Sequence, residues 1–204
     1  MKLEFLKSAP ESGQYEEHCF DDSGATSWVL FETNQFEKWV GAFGLGEEGI
    51  SKIVCIDEYA LVIANGAGYI VNQNSKTAEQ LEDSDYGGIK SAIATHNPDL
   101  IICSTLIGYK VIKGTKIILD ERPGWIDGLE FLKQENKILK GQMFKIGPHN
   151  YWNEVSLNLE TFELEIDGNV KIDYWGLIGK KKNSNEKHTI IDMIKSLFRA
   201  NTSA

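Results

Sequence analysis

Few residues in this sequence are placed where they could do chemistry. Asp83-Ser84-Asp85-Tyr86-Gly87-Gly88 sets two carboxylates at i and i+2 ahead of glycine, which is half of a calcium loop. The other half needs an oxygen ligand at position five and a glutamate at position twelve. Those positions hold Gly87 and Ala94, so the stretch reads as a solvated acidic turn. Gly41–Gly46 (GAFGLG) and Asn65–Gly68 (NGAG) are glycine-rich. A dinucleotide loop leads from a strand into a helix whose N-terminus meets the pyrophosphate. Here Glu47 and Glu48 stand where a phosphate would sit, and the second run leads straight into another strand. Neither run ends in the Lys-Ser/Thr of a P-loop. Both read as turns that require positive φ.

Metal and nucleophile chemistry find no better footing. His18, His96, His149 and His188 are far apart, and no HExxH or CxxC occurs, so no metal and no cofactor are expected. Cys19, Cys55 and Cys103 are odd in number and widely spaced, which predicts buried, inert thiols rather than a disulfide framework. Cys19 adjoins His18, but neighbours on a strand point to opposite faces. No GxSxG elbow is present. Asp57 with Glu58 and Asp120 with Glu121 offer carboxylate pairs, too common in an acidic chain to indicate glycoside hydrolysis. No catalytic residue is assigned; an enzyme would need a site scattered along the chain.

Aromatic and acidic residues are more informative. The five tryptophans are Trp28, Trp39, Trp125, Trp152 and Trp175. Tyr151-Trp152 and Tyr174-Trp175 are adjacent pairs, so on a strand one of each pair faces outward. The net charge of −9 is uneven. Residues 180–199 hold six Lys and Arg against Glu186 and Asp192, or +4, which leaves −13 on the 179 residues before them. An acidic body repels phosphate and attracts a basic partner, so nucleic acid is not an expected ligand.

These residues must be positioned by strands. Short β-branched or aromatic runs bounded by Gly, Asn or Asp recur at Lys2–Leu6, Trp28–Phe31, Lys38–Phe43, Lys52–Ile56, Ala60–Ala64 and Tyr69–Val71. They continue at Leu100–Cys103, Tyr109–Ile112, Lys116–Leu119, Leu129–Leu132, Lys137–Leu139, Glu154–Leu159 and Glu163–Ile166. Gly114-Thr115 and Asp167-Gly168 suit hairpin turns. The run from Ile50 can be laid on that from Ile89: Leu61, Val62 and Ile63 fall on Leu100, Ile101 and Ile102, and Gly68-Tyr69 falls on Gly108-Tyr109 after a one-residue insertion. A weaker third copy starts at Trp125, with Leu129–Leu132 leading and Ile138-Leu139 near the place of Leu100-Ile101.

The expected fold is mainly β, an antiparallel meander of short strands. It is either a set of propeller-like repeats of about 40 residues or a barrel or sandwich. Residues 1–179 read as one domain. Residues 180–204 read as a basic linker and an amphipathic helix packed on it, with Ile190, Ile191, Ile194, Leu197 and Phe198 on one face. The N-terminus lacks the apolar core of a secretory signal and no run approaches a membrane span, so a cytoplasmic address without membrane contact is expected.

The function expected from this is a non-enzymatic protein-binding module, of the acidic immunity type that occludes a basic bacterial toxin. Its partner-binding residues would be Trp39, Glu47, Glu48, Asp57, Glu58, Asp83, Asp85, Tyr151, Trp152 and Trp175. A β domain that binds a small molecule or carbohydrate through outward aromatics is the alternative.

Overall fold

The computed structural model describes residues 2–170 except 22–23, 34–35, 82–87, 97–98, 123–125, 146–150 and 167–168. The described residues form strands, turns and loops without a helix. The C-terminal segment expected to be helical lies outside them.

Among the described residues seventeen strands make four sheets. The first holds β1 (Lys2–Phe5), β2 (Glu16–Cys19), β3 (Thr26–Glu32) and β4 (Lys38–Gly44) in the order β1-β3-β4-β2, with β2 parallel to β4. The second is the meander β5 (Lys52–Ile56), β6 (Tyr59–Ala64), β7 (Ala67–Asn72) and β8 (Thr77–Gln80). The third repeats it with β9 (Ser91–Thr95), β10 (Leu100–Ser104), β11 (Tyr109–Lys113) and β12 (Lys116–Glu121). The fourth runs through β13 (Leu129–Glu135), β14 (Ile138–Lys145), β15 (Tyr151–Asn158), β16 (Leu164–Ile166) and β17 (Asn169–Val170). None of the four closes on itself as a barrel.

Alternation then decides how the sheets stack. Side chains on a strand alternate between faces, so a strand apolar on both faces must be covered on both. β6 and β10 are buried almost throughout. Val62, Ala64 and Tyr69 pack toward Phe31, Trp39 and Phe43 of the first sheet. Leu61, Ile63 and Ile70 pack the other way, against Ile101, Cys103 and Ile112 of the third. Leu100, Ile102 and Val111 then meet Leu129, Phe131, Leu139 and Leu157 of the fourth.

The internal repeat can be tested against these directions. Leu61 and Ile63 face the following sheet, as do Leu100 and Ile102; Val62 faces the preceding one, as does Ile101. Leu139 likewise faces the preceding sheet. The second half of the alignment is corrected. Tyr69 faces the preceding sheet, whereas Tyr109 faces the following one. Val62 pairs with Tyr69 across a tight turn, and Ile101 pairs with Ile112 across a longer one. Ile112 is therefore the counterpart of Tyr69, and the single inserted residue of the alignment put Tyr109 on the wrong face.

Two devices join the sheets. At the first, backbones cross within contact distance. Gly66 N–H donates to Ile50 O at 2.8 Å, Ile89 N–H to Gly66 O at 2.9 Å, and Ile50 N–H to Ile89 O at 3.1 Å. The β4–β5 connection, the β6–β7 turn and the start of the third sheet are thereby tied together. Gly66 has φ +93, and a Cβ there would overlap the Glu48 carbonyl oxygen. The second device is a buried hydroxyl chain. Ser104 Oγ donates to Leu129 O at 2.5 Å, which leaves Ser91 to donate to Ser104 at 2.7 Å and to accept from Phe131 N–H at 2.8 Å. Both buried hydroxyls of this chain thus find partners.

Tyr69 links the first two sheets through its hydroxyl, which donates to Asp21 Oδ2 (3.2 Å) or Gly44 O (3.1 Å). Burial, then the Asp21 charge, pushes its pKa up to about 12. The unfolded chain loses this proton near pH 10 and the folded protein near 12. The folded state therefore holds more protons in between, and stability is expected to fall as pH rises from about 10 to about 12. Urea midpoints measured across that range should drop more steeply for the native chain than for Tyr69→Phe; equal slopes would refute the assignment.

Some expectations are corrected here. Of the thiols, Cys103 alone is buried, while Cys19 and Cys55 are exposed. Partial burial still pushes the Cys55 thiol up, which leaves less thiolate at neutral pH. Strands β2 and β8 were not expected. Both are polar edge strands with hardly any buried position, so they carry no alternation signal. Gly114 does supply the predicted hairpin turn, with φ 58.

Candidate functional site

The fourth sheet is apolar on one face only. Leu139, Met143, Val155 and Leu157 point into the core. The residues between them form the outer face, which no described strand covers. The register of β13, β14 and β15 fixes its rows. Phe144 stands opposite Trp152. The next row is Glu130, Gln142 and Glu154. Lys140 stands opposite Ser156 in the row after that.

Trp152 is 54% exposed and meets Phe144 edge-on, with ring centroids 5.5 Å apart. Gln142 Nε2 donates to Glu130 Oε2 at 2.9 Å, and Lys140 Nζ to Ser156 Oγ at 2.8 Å. Leu132 sits where the β13–β14 register slips and is 55% exposed. The face is thus an aromatic pair beside a carboxylate–amide row. It can offer a flat apolar contact and accept hydrogen bonds from a cationic group.

The other expected partner residues do not gather there. Trp39 is fully buried, stacked on Phe31 at 3.9 Å with planes 4° apart. No partner can reach it in this fold, so it is a core residue. The apolar register of β4, which is buried on both faces, explains why. Glu47 and Glu48 are exposed just before β5, and Asp57 and Glu58 just after it. A five-residue strand separates the two pairs by roughly 16 Å. Glu48 accepts from Lys90 at 2.5 Å; that hydrogen bond and charge hold its carboxyl below the usual range. Glu58 accepts from Asn74 at 3.0 Å. The third sheet lies between these residues and Trp152. Asp83, Asp85 and Trp175 lie outside the described residues. Tyr151 begins β15, and its backbone register is all that is described.

Phe144, Glu130 and Glu154 escaped the sequence reading. Their signal is alternation on either side of Gly141 and through β15, readable once both strands were known to run for eight residues.

A second ionic cluster sits on the third sheet. Lys110, nearly buried, donates to Asp120 at 2.8 Å, and Arg122 bonds both oxygens of the same carboxylate. Burial alone would push Asp120 up; the Arg122 and Lys110 hydrogen bonds outweigh it and hold the carboxyl low. Both cations bond the one carboxylate, which suits an internal brace. A shallow hollow of about 380 Å³ near Leu6, Lys7, Pro10, Glu11 and Tyr15 is lined by one segment only. It does not gather groups from several elements. Among the described residues no three His, Cys, Asp or Glu side chains are grouped to hold a metal ion. Nor is any described helix long and apolar enough to cross a membrane. Compared with protein-family models, with curated proteins and with solved structures, the chain matches none.

Proposed function

We propose that this protein is a non-enzymatic, cytoplasmic protein-binding module that docks a basic partner on the outer face of its fourth sheet. It would act by occlusion, in the manner of an acidic immunity protein that covers a basic toxin. The observation that carries this reading is the exposed Trp152–Phe144 pair beside the Glu130–Gln142–Glu154 row. Aromatic anchors ringed by charge supply most of the energy of protein interfaces, and carboxylates steer the encounter. The −13 charge on residues 1–179 favours a cationic partner at longer range. We further read the second, third and fourth sheets as propeller-like repeats, a rigid base on which such a face keeps its shape.

The test is capture from a lysate of the source cell on the immobilised full chain. Trp152→Ala should weaken retention of the bound protein about thirtyfold, the effect of a hot spot worth about 2 kcal/mol. The pair Glu130→Lys and Glu154→Lys should weaken it further, most of all at low salt. Retention indifferent to all three substitutions would refute the proposal. Trp152-dependent retention of a carbohydrate instead would favour the alternative of a sugar-binding β domain.

A further inference from the structure

We infer that Asn65-Gly66 is a site of spontaneous deamidation that the fold holds shut, so that the side chain is modified only when the backbone crossing between the sheets opens. The site lies in the glycine-rich run Asn65–Gly68, at the β6–β7 turn, and is independent of the docking face on the fourth sheet.

Asn-Gly is the dipeptide most prone to this reaction, because glycine sets no side chain between its own nitrogen and the asparagine amide. The sequence holds one such dipeptide. The Gly66 nitrogen attacks Cγ of Asn65, the bond from Cγ to Nδ2 breaks, and the Gly66 proton departs with Nδ2 as ammonia. Water then opens the cyclic imide and leaves aspartate or its β-linked isomer. Attack needs a Gly66 N–H able to lose its proton, a free carboxamide, and room for that carboxamide to swing over the next nitrogen.

The fold denies all three. Asn65 has φ 47 and Gly66 φ 93, the paired positive angles of a tight hairpin turn. Gly66 is buried, and its N–H donates to Ile50 O at 2.8 Å. Asn65 Nδ2 donates to Gly46 O at 2.7 Å, and the Asn65 backbone N–H to Ser51 Oγ at 3.0 Å. Space is closed as well. A Cβ on Gly46 would lie 2.6 Å from the Asn65 carbonyl oxygen. One on Gly49 or on Gly88 would lie 2.5 or 2.6 Å from the Gly66 Cα. The β4–β5 connection thus clasps the turn on one side and the segment before β9 on the other. The carboxamide can swing only if they part.

The same contacts make the change one-way. An aspartate carboxylate at position 65 has no N–H for the Gly46 carbonyl and sets negative charge against it. The β-linked isomer adds a methylene to the backbone where the clasp has no slack. A chain that has opened here long enough to react is therefore marked, and does not close as before.

The experiment measures two rates on the full chain at mildly alkaline pH. One is hydrogen exchange at the Gly66 amide, followed by NMR. The other is the gain of aspartate and its isomer in the peptide that carries Asn65, followed by mass and chromatography. Both need the Gly66 N–H to be freed. In the native chain each should run at least about a hundredfold slower than in the urea-unfolded chain. Ser51→Ala removes the acceptor of the Asn65 N–H, so it should raise both rates several-fold and by the same factor while the circular dichroism stays native. Asn65→Asp, the reaction product, should unfold at lower urea than the native chain. Deamidation as fast in the native chain as in the unfolded one would overturn the inference. So would slow exchange beside fast deamidation, because the carboxamide would then react without waiting for the crossing. Asn65→Asp with native stability would overturn the one-way mark.

Discussion

Gly66→Ala is expected to remove a large part of the stability of the fold. Gly66 has φ +93, a region that costs an L-residue roughly 1–2 kcal/mol. Space is the larger problem. A Cβ at this position would overlap Glu48 O and lie 3.0 Å from the Gly88 Cα, and both neighbours are backbone, which cannot rotate away. Relief would mean separating the connections that tie the second sheet to the first and third. Breaking the Gly66 N–H bond to Ile50 O would strand a donor. Together these effects come to about 3–5 kcal/mol, a large part of the 5–15 kcal/mol that holds a typical domain. Gly114→Ala is the matched control. It also has positive φ, 58°, but its Cβ would touch only the Tyr59 ring, at 3.7 Å. It should cost about 1 kcal/mol. Urea unfolding of both variants checks the contrast. Similar midpoints for the two would show that the backbone crossing is slack.

Trp39→Ala should be nearly as damaging, at about 3–5 kcal/mol, while Trp39→Phe should cost far less, about 1 kcal/mol. The indole lies against Phe31 and takes the edges of His18 and Phe20, with centroids 5.4 and 6.4 Å away. Deleting it opens a cavity between the first and second sheets. Phenylalanine keeps most of the stack. It also gives up no hydrogen bond, because Trp39 Nε1 has no partner. Thermal unfolding of the two variants reads the difference directly. A core role also predicts the binding phenotype: the share of Trp39→Phe that stays folded should capture the partner as the native chain does. Trp152→Ala, by contrast, should stay folded and lose capture. A Trp39→Phe protein that is stable yet binding-defective would return Trp39 to the interface.

The two tryptophans show how far the sequence carries. Both stand in aromatic or β-branched runs, and both were plausible anchors on residue type alone. Trp152 adjoins Tyr151, and strand alternation requires one of such a pair to face out; the register of β15 with β14 decides which. Trp39 belongs to a strand buried on both faces, so alternation carries no direction there. Hydropathy within one strand cannot say how many sheets lie against it.

The sequence by itself determined that the chain is β-rich and where most strands run, because alternation and turn residues act within a few neighbours. It also set Glu47, Glu48, Asp57 and Glu58 between the apolar runs, in the connections where carboxylates keep their water. Only the tertiary structure decided that these carboxylates stand apart, that Trp39 is core and that Tyr109 faces forward. It alone decided that one sheet face, with Trp152 upon it, is left uncovered by any described strand. Each of those facts depends on which sheet lies against which, and that contact is made between residues some 40 positions apart. Local patterning reports that a face must be buried, and long-range packing chooses what buries it.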